Sequence, residues 1–147
     1  GVVGDETLGD GDGDGDGAGE VVGAGAAAGS GMARPPLRVA ATGAAHGINI
    51  KLAKAGMLGA LQIIAIARAA GLKLMIGCML ETLPGNGAAV HFACGTGAFD
   101  YLDLDSHMLV GIETPGLPFE QRGDELRVRA DVPGTGWQPR QASDSGS

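Results

Sequence analysis

From Leu37 onward, short apolar segments alternate with longer segments rich in alanine. Continuously apolar runs are typical of strands buried on both faces of a parallel sheet. They predict strands over residues 48–52, 73–78 and 99–104. The segments Met57–Ala70 and Gly85–Ala93 predict helices, and the first of these ends at Gly71. Strands separated by single helices indicate βαβ units and therefore an α/β fold with a parallel sheet.

The two ends of the chain have a different pattern. Near the N-terminus, Val2–Asp5 predicts one more strand, and the segment 9–36 that follows is a Gly-Asp alternation and then a Gly/Ala/Ser tract. Such a segment buries too little apolar surface to offset the entropy of ordering it, so we expect it to be disordered. Residues 118–129 predict a β-hairpin with a glycine in its turn.

The composition of the chain limits which binding partners and which cellular compartment we expect. Twelve of the 28 glycines and seven of the 17 acidic residues precede Leu37, so the net charge of −7 belongs almost entirely to that segment. An acidic chain without a Lys/Arg cluster is not expected to bind nucleic acid or an anionic membrane. No apolar run of the sequence reaches the ~18 residues of a membrane span. Cys78 and Cys94 lie in apolar stretches, which favours reduced thiols and a cytoplasmic protein.

Ionisable residues follow each of four successive predicted strands. They are Asp5, Lys51, Glu81 and the pair Asp103 and Asp105. In a parallel α/β barrel the carboxyl ends of the strands form the functional face. Lys51 follows an apolar strand and should be partly buried, which favours the neutral amine that a general base requires. Asp103 and Asp105 are two residues apart and share one face, where paired negative charge suits an ammonium group or a metal.

Four motifs resemble barrel strands of the enolase superfamily, in its muconate-lactonizing branch. Residues 47–56 (GINIKLAKAG) resemble the sixth strand, 77–82 (GCMLET) the seventh and 100–105 (DYLDLD) the eighth, while 3–7 (VGDET) are similar to the fifth. The Asp-x-Asp form of the eighth strand is typical of dipeptide epimerases. The resemblance therefore implies the C-terminal half, about strands 5–8, of a TIM-like (β/α)7β barrel.

The resemblance also implies how the chain is divided. Residues 1–8 would be a remnant of the fifth strand, 9–36 a disordered Gly/Asp-rich insertion, 37–137 the barrel segment with its terminal hairpin, and 138–147 a disordered tail. A remnant of the helix after the fifth strand would survive around Leu37–Gly43.

The family's chemistry implies a role for each residue at a strand end. Lys51 would transfer a proton at the substrate Cα, forming an enediolate that Mg²⁺ stabilises, and Asp5 would be one of three metal ligands. Glu81 would tune the site by hydrogen bonding. Asp103 and Asp105 would bind the α-ammonium group of a dipeptide. Together these roles describe 1,1-proton transfer at an amino-acid Cα.

Several parts of such an enzyme have no counterpart in this sequence. A Lys-x-Lys element for the opposite face of the substrate, two metal carboxylates and an N-terminal capping domain are missing. We therefore expect a fragment that is inactive alone. A homo-oligomer of the full-length protein and the identity of the dipeptide stay open. The alternatives are a muconate cycloisomerase or N-acylamino-acid racemase of the same superfamily, or a non-catalytic barrel remnant that acts as an interaction module.

Other motifs give weaker indications. Asp10, Asp12 and Asp14 begin like a calcium loop, but position 12 of that loop is Val21, which has no carboxylate. The histidines are too scattered to predict a metal cluster: His46, His91 and His107. We expect His91 to be a core residue of its helix and His107 to be a loop residue. Cys78 is predicted to be a small buried residue and not a nucleophile.

Overall fold

The computed structural model describes residues 21–24, 34–109, 117–129, 131 and 134–137. Four strands form one sheet in the order β1-β2-β3-β4, and each neighbouring pair is parallel. In chain order the elements are β1 (Val21–Ala24), α1 (Arg34–Thr42), β2 (Gly47–Ile50), α2 (Leu52–Ala69), β3 (Lys73–Gly77), α3 (Leu83–Thr96), β4 (Tyr101–Asp103), α4 (Ser106–Leu109), β5 (Glu120–Arg122) and β6 (Glu125–Arg127). The predicted α/β alternation is confirmed, whereas the closure of a barrel stays a prediction.

Strand β1 corrects the prediction for the low-complexity segment. It lies inside residues 9–36, where we expected disorder, and it pairs with β2 so that Val21 is opposite Gly47 and Ala24 opposite Ile50. For these four residues the prediction is wrong, because two adjacent valines favour a strand and the edge of β2 offers backbone partners. The rest of 9–33, the predicted strand Val2–Asp5 and the tail 138–147 lie outside the described residues.

Helix α1 covers the predicted helix remnant and begins earlier, at Arg34, so the prediction of disorder is also wrong for residues 34–36. Proline is well suited to the first turn of a helix, since the N–H groups there need no intrahelical acceptor, and Pro35 and Pro36 occupy that turn. Helix α2 begins at Leu52, but Gly56 has φ 65° and ψ 166° and separates a first turn from the long segment that starts at Met57. The predicted start at Met57 therefore marks the long segment of α2.

Two apolar clusters hold the helices to the sheet. The first lies between α2 and strands β2 and β3, and its largest fully buried side chains are Ile48, Ile50, Ile63 and Leu74. The second lies between α3, strands β3 and β4 and the hairpin, and includes Ile76, Val90, Phe119 and Leu126. Each fully buried side chain of this size contributes about 1.5–3 kcal/mol relative to an exposed one. The clusters therefore fix both the sheet and the hairpin that follows it.

The C-terminal hairpin packs on α3. Strands β5 and β6 pair antiparallel around a turn in which Gly123 has φ 63°, as the sequence predicted. Pro118 contacts Gly87 so closely that a Cβ at residue 87 would collide with its ring. His91 Nε2 donates to the Pro118 carbonyl oxygen at 3.2 Å, and His91 is half-buried. The hairpin is thus anchored to α3 by apolar packing and by this hydrogen bond.

The sequence has no uninterrupted apolar run as long as a membrane span, but helix α2, in which Lys54, Gln62 and Arg68 are the polar residues, still has the length and apolar composition of one, with a mean hydropathy of 1.4 over its 18 residues. Its inward residues Ala60, Ile63, Ile64 and Ala67 are buried in the core of the chain. Core helices of soluble proteins share this composition, so the helix by itself is weak evidence for a membrane.

Candidate functional site

The carboxyl ends of β2, β3 and β4 lie at one edge of the sheet. Ile50 is opposite Ile76, and Gly77 is opposite Asp103. The next residue after Ile50 is Lys51, which therefore comes level with Gly77 and Asp103. Parallel pairing without a register break thus brings three of the predicted strand ends together, as the sequence predicted for a parallel sheet.

Lys51 is half-buried at this edge. It is the residue before α2, with φ −121° and ψ 116°, and its carbonyl oxygen accepts hydrogen bonds from the N–H groups of Lys54 and Ala55, both at 3.0 Å. Its Nζ donates to the backbone carbonyl oxygen of Cys78 at 2.7 Å. One N–H of the amine is therefore bound by the residue that follows β3, and the start of α2 holds the backbone of Lys51.

Asp103 and Asp105 are exposed, and Leu104 between them is buried. Strand β4 ends at Asp103, so Asp105 lies just beyond it, but the alternation of exposure keeps both carboxylates on the outer side. Both line a groove of about 570 Å³ between the edge of β4 and the hairpin. The predicted pairing of negative charge is consistent with this shared lining.

Cys78 connects these residues. Its carbonyl oxygen accepts from Lys51, its N–H donates to the Asp103 carbonyl oxygen at 2.9 Å, and its Sγ lies 3.8 Å from Asp105 Oδ1. Its burial in the second apolar cluster confirms the predicted small buried residue. The sequence did not indicate these contacts, because two of them involve the backbone, which carries no residue-specific signal.

Glu81 lies apart from this arrangement. It is half-buried, and its Oε1 accepts a hydrogen bond from the Met79 N–H at 3.0 Å within the same loop. Its Oε2 lies against Gly85, where a Cβ would come within 2.9 Å. The contacts of Glu81 therefore shape the loop between β3 and α3.

The described residues do not by themselves fit a magnesium site. No group of three His, Cys, Asp or Glu side chains within them could hold a metal ion. Asp5, the predicted metal ligand, lies outside the described residues.

Three polar residues near the site were missed or misassigned. Asn86, His107 and Gln121 form a connected set of hydrogen bonds beside Leu104. His107 is 3% exposed and lies in α4, so its prediction as a loop residue is wrong. The one sequence signal for this set of contacts was Asn86, the polar residue of the segment 83–90, whose other residues are apolar or glycine.

Comparison with known proteins identifies the family. Residues 35–143 match the family described as enolase C-terminal domain-like. The chain belongs to this family. The match covers the sheet from β2 onward, the helices between its strands and the hairpin, so it includes Lys51, Glu81, Asp103 and Asp105.

Two proteins that the chain resembles in sequence are dipeptide epimerases. The chain is 51% identical over 82 residues to the L-Ala-D/L-Glu epimerase of Thermotoga maritima, covering 56% of this chain and 24% of that protein. It is 46% identical over 105 residues to the aromatic dipeptide epimerase of Herpetosiphon aurantiacus, covering 71% of this chain and 29% of that protein. The resemblance to dipeptide epimerases is confirmed, and the chain spans about a quarter of the length of these relatives.

A solved structure agrees with this assignment. The dipeptide epimerase from Methylococcus capsulatus, complexed with Mg and the dipeptide L-Arg-D-Lys, is 35% identical with a TM-score of 0.59, covering 66% of this chain and 28% of that one. The shared part therefore has the α/β fold of the enolase C-terminal domain.

Proposed function

We propose that this chain is part of a dipeptide epimerase that moves a proton at an amino-acid Cα, and that it is inactive alone. The observation that carries the proposal is the convergence of Lys51 and Asp105 on Cys78 at the carboxyl edge of the sheet. A base and an acidic binding residue thereby meet on one residue, Lys51 at its backbone carbonyl oxygen and Asp105 at its Sγ. Membership of the family and the epimerase relatives support the same activity.

In this proposal Lys51 is the acid/base on one face of the substrate. In its neutral form, Nζ takes the proton from Cα, the C–H electron pair passes into the adjacent carbonyl system, and the ammonium form returns a proton later. The hydrogen bond to the Cys78 carbonyl oxygen holds Nζ in one direction. Inversion needs a second acid on the opposite face, which we assign to the rest of the longer protein.

Asp103 and Asp105 bind the substrate's α-ammonium group in this proposal. Both carboxylates line the same groove, and hydrogen bonds between ionised groups are about twice as strong as those between neutral ones. Glu81 acts through the loop that it braces. A dipeptide with a free amino end is therefore the substrate class, in contrast to an N-acylated amino acid.

Magnesium belongs to the proposal for the longer protein, with Asp5 as one ligand. Its chemistry would be electrostatic stabilisation of negative charge on the substrate carboxylate. The free thiols Cys78 and Cys94 support the cytoplasmic location that we propose.

The test is binding of matched ligands by the ¹⁵N-labelled chain. L-Ala-L-Glu and its N-acetyl derivative differ in the ammonium group, and amide signals of residues 103–105 report on the groove. We expect shifts with the free dipeptide, weaker or no shifts with the acetylated one, and loss of the difference in Asp103→Asn. Equal binding of both ligands would contradict the epimerase proposal and favour an N-acylamino-acid racemase. If neither ligand binds, the result would favour the alternative of a non-catalytic barrel remnant.

A further inference from the structure

A chain of buried hydrogen bonds links α3 to the hairpin through α4. Asn86 is 0% exposed and His107 is 3% exposed. Asn86 Nδ2 lies 3.0 Å from His107 Nδ1, and His107 Nε2 lies 2.6 Å from Gln121 Oε1. The His107 ring also packs edge-on against Phe119, with ring centroids 5.1 Å apart. Burial of this much polar surface is costly unless its hydrogen bonds are satisfied, and among the described residues Asn86 Oδ1 is the one polar side-chain atom of this set without a partner.

The hydrogen bonds at the two ends of this series determine which atoms donate and which accept along it. At one end, Asn86 Nδ2 also donates to the Leu104 carbonyl oxygen at 3.2 Å, so the amide nitrogen faces His107. At the other end, Gln121 Nε2 donates to the Gly123 carbonyl oxygen at 3.0 Å, which leaves its Oε1 to accept. His107 must therefore accept at Nδ1 and donate at Nε2, which is the neutral Nε2–H tautomer.

The segment that carries the two carboxylates is held at three consecutive carbonyl oxygens. The oxygen of Asp103 accepts from the Cys78 N–H and that of Asp105 from the Met108 N–H, both at 2.9 Å. The Leu104 oxygen between them accepts from the Asn86 side chain. Of the three, the Leu104 contact is the one that a change of side chain removes.

We infer that Asn86 and His107 are positioning residues for Asp103 and Asp105, and that Gln121 extends their action to the hairpin. Asn86 holds the backbone between the carboxylates, and His107 holds Asn86 in the orientation that donates to Leu104. Gln121 and Met108 line the same groove as the two carboxylates, and Gln121 Nε2 lies 3.6 Å from Met108 Sδ. The placement of the groove's charge thus depends on the docked hairpin. This inference rests on the proposed function for the role of the carboxylates.

The test uses the full chain and two readouts that do not require activity. Long-range ¹H–¹⁵N spectra give the tautomer of His107, and amide hydrogen exchange at Cys78 reports on its bond to Asp103. Asn86→Asp keeps the shape of the side chain but replaces the donor with an acceptor. Ser106→Ala is the matched control, because Ser106 Oγ is equally buried and has no hydrogen-bond partner among the described residues.

We expect the Nε2–H tautomer in the unchanged chain and in Ser106→Ala, and a proton on Nδ1 in Asn86→Asp. Exchange at Cys78 should be about tenfold faster in Asn86→Asp, as the loss of one net hydrogen bond would produce. If Asn86→Asp does not fold, Gln121→Ala tests the same series of hydrogen bonds, because the half-buried Gln121 lies at its end in the hairpin. We then expect faster amide exchange at Met108. An Nδ1–H tautomer in the unchanged chain would overturn the inference. Exchange rates equal to those of Ser106→Ala in both variants would overturn it too.

Titration with L-Ala-L-Glu separates this inference from the proposed function. If the unchanged chain binds the dipeptide, we expect about tenfold weaker binding in Asn86→Asp and unchanged binding in Ser106→Ala. Equal binding in both variants would count against positioning. If the unchanged chain does not bind, the proposed function fails, and the tautomer and exchange rates still decide the inference.

Discussion

Lys51 Nζ donates a 2.7 Å hydrogen bond to the backbone carbonyl oxygen of Cys78. The amine of the proposed acid/base is therefore oriented by the backbone of the residue that directly follows the neighbouring strand β3. Side-chain changes at Cys78 leave this acceptor in place, whereas any shift of β3 relative to β2 moves it. The register of two strands thus sets the direction of the proposed base.

Replacing Lys51 removes this bond between strands. We expect Lys51→Met to lower the free energy of unfolding by about 1 kcal/mol, since the carbonyl oxygen of the buried residue Cys78 loses its donor. Lys54→Met is the control, because Lys54 is exposed and surface changes usually stay within about 0.5 kcal/mol. Urea unfolding of both variants gives the comparison. Equal losses in the two variants would show that the Cys78 contact adds no stability.

The chain alone should not exchange the Cα proton of a dipeptide. Removal of the Cα proton leaves negative charge on the substrate that must be stabilised. Two of the three metal carboxylates that the family resemblance implies have no counterpart in the sequence, and the described residues contain no three-residue metal group. We therefore expect no deuterium at Cα after incubation with L-Ala-L-Glu and Mg²⁺ in D₂O, measured by NMR and mass spectrometry. Incorporation of deuterium would contradict the proposed inactivity. Lys51→Met would then show whether Lys51 is the base.

The start of β4 is tied to β3 by Asp100. Its Oδ1 accepts from Lys73 Nζ at 2.6 Å and its Oδ2 from the Leu74 N–H at 2.9 Å. Partial burial alone would raise the pKa of Asp100, but the hydrogen bonds from Lys73 and Leu74 outweigh it and hold the pKa below its ordinary value. The hydrogen bond between Lys73 and Asp100 also raises the pKa of Lys73.

These shifts predict a dependence of stability on pH. Because the folded pKa of Asp100 is lowered, its contribution is complete above the ordinary value of 3.8 and is lost as the pH falls through the folded value. We expect Asp100→Asn to be less stable than the unchanged chain at pH 7, and the difference to disappear in strong acid. Urea midpoints across the acid range measure this. A difference that persists when Asp100 is protonated would contradict the electrostatic explanation.

The sequence predicted the parallel α/β order and the strand-end residues because both follow from local patterns. Apolar runs locate the strands, and in-register parallel pairing then brings Lys51 level with Asp103. The Asn86–His107 contact could not be predicted, since it joins residues 21 positions apart through tertiary packing. Strand β1 was missed because two valines in a glycine-rich segment form a strand only when β2 supplies the partner.

Gly77 and Asn49 approach each other more closely than a side chain at residue 77 would allow. A Cβ at Gly77 would lie 2.9 Å from Asn49 Oδ1 and 3.2 Å from its Nδ2. Asn49 shares a face of β2 with Lys51, two residues on, so a displaced Asn49 disturbs the strand that presents the proposed base. We expect Gly77→Ala to lower the free energy of unfolding by about 1–3 kcal/mol, as overpacking of an interior does.

Gly95→Ala is the matched control for this prediction. Gly95 lies in α3, and a Cβ there would meet nothing within 4 Å. Alanine is the better helix former by up to about 1 kcal/mol, so this variant should be as stable as the unchanged chain or more stable. If the close approach of Gly77 and Asn49 causes the loss of stability, thermal and urea unfolding should show a lower stability for Gly77→Ala and an equal or higher one for Gly95→Ala. A Gly77→Ala chain as stable as Gly95→Ala would mean that Asn49 rearranges without cost, and the amide signals of Asn49 would then show where it has moved.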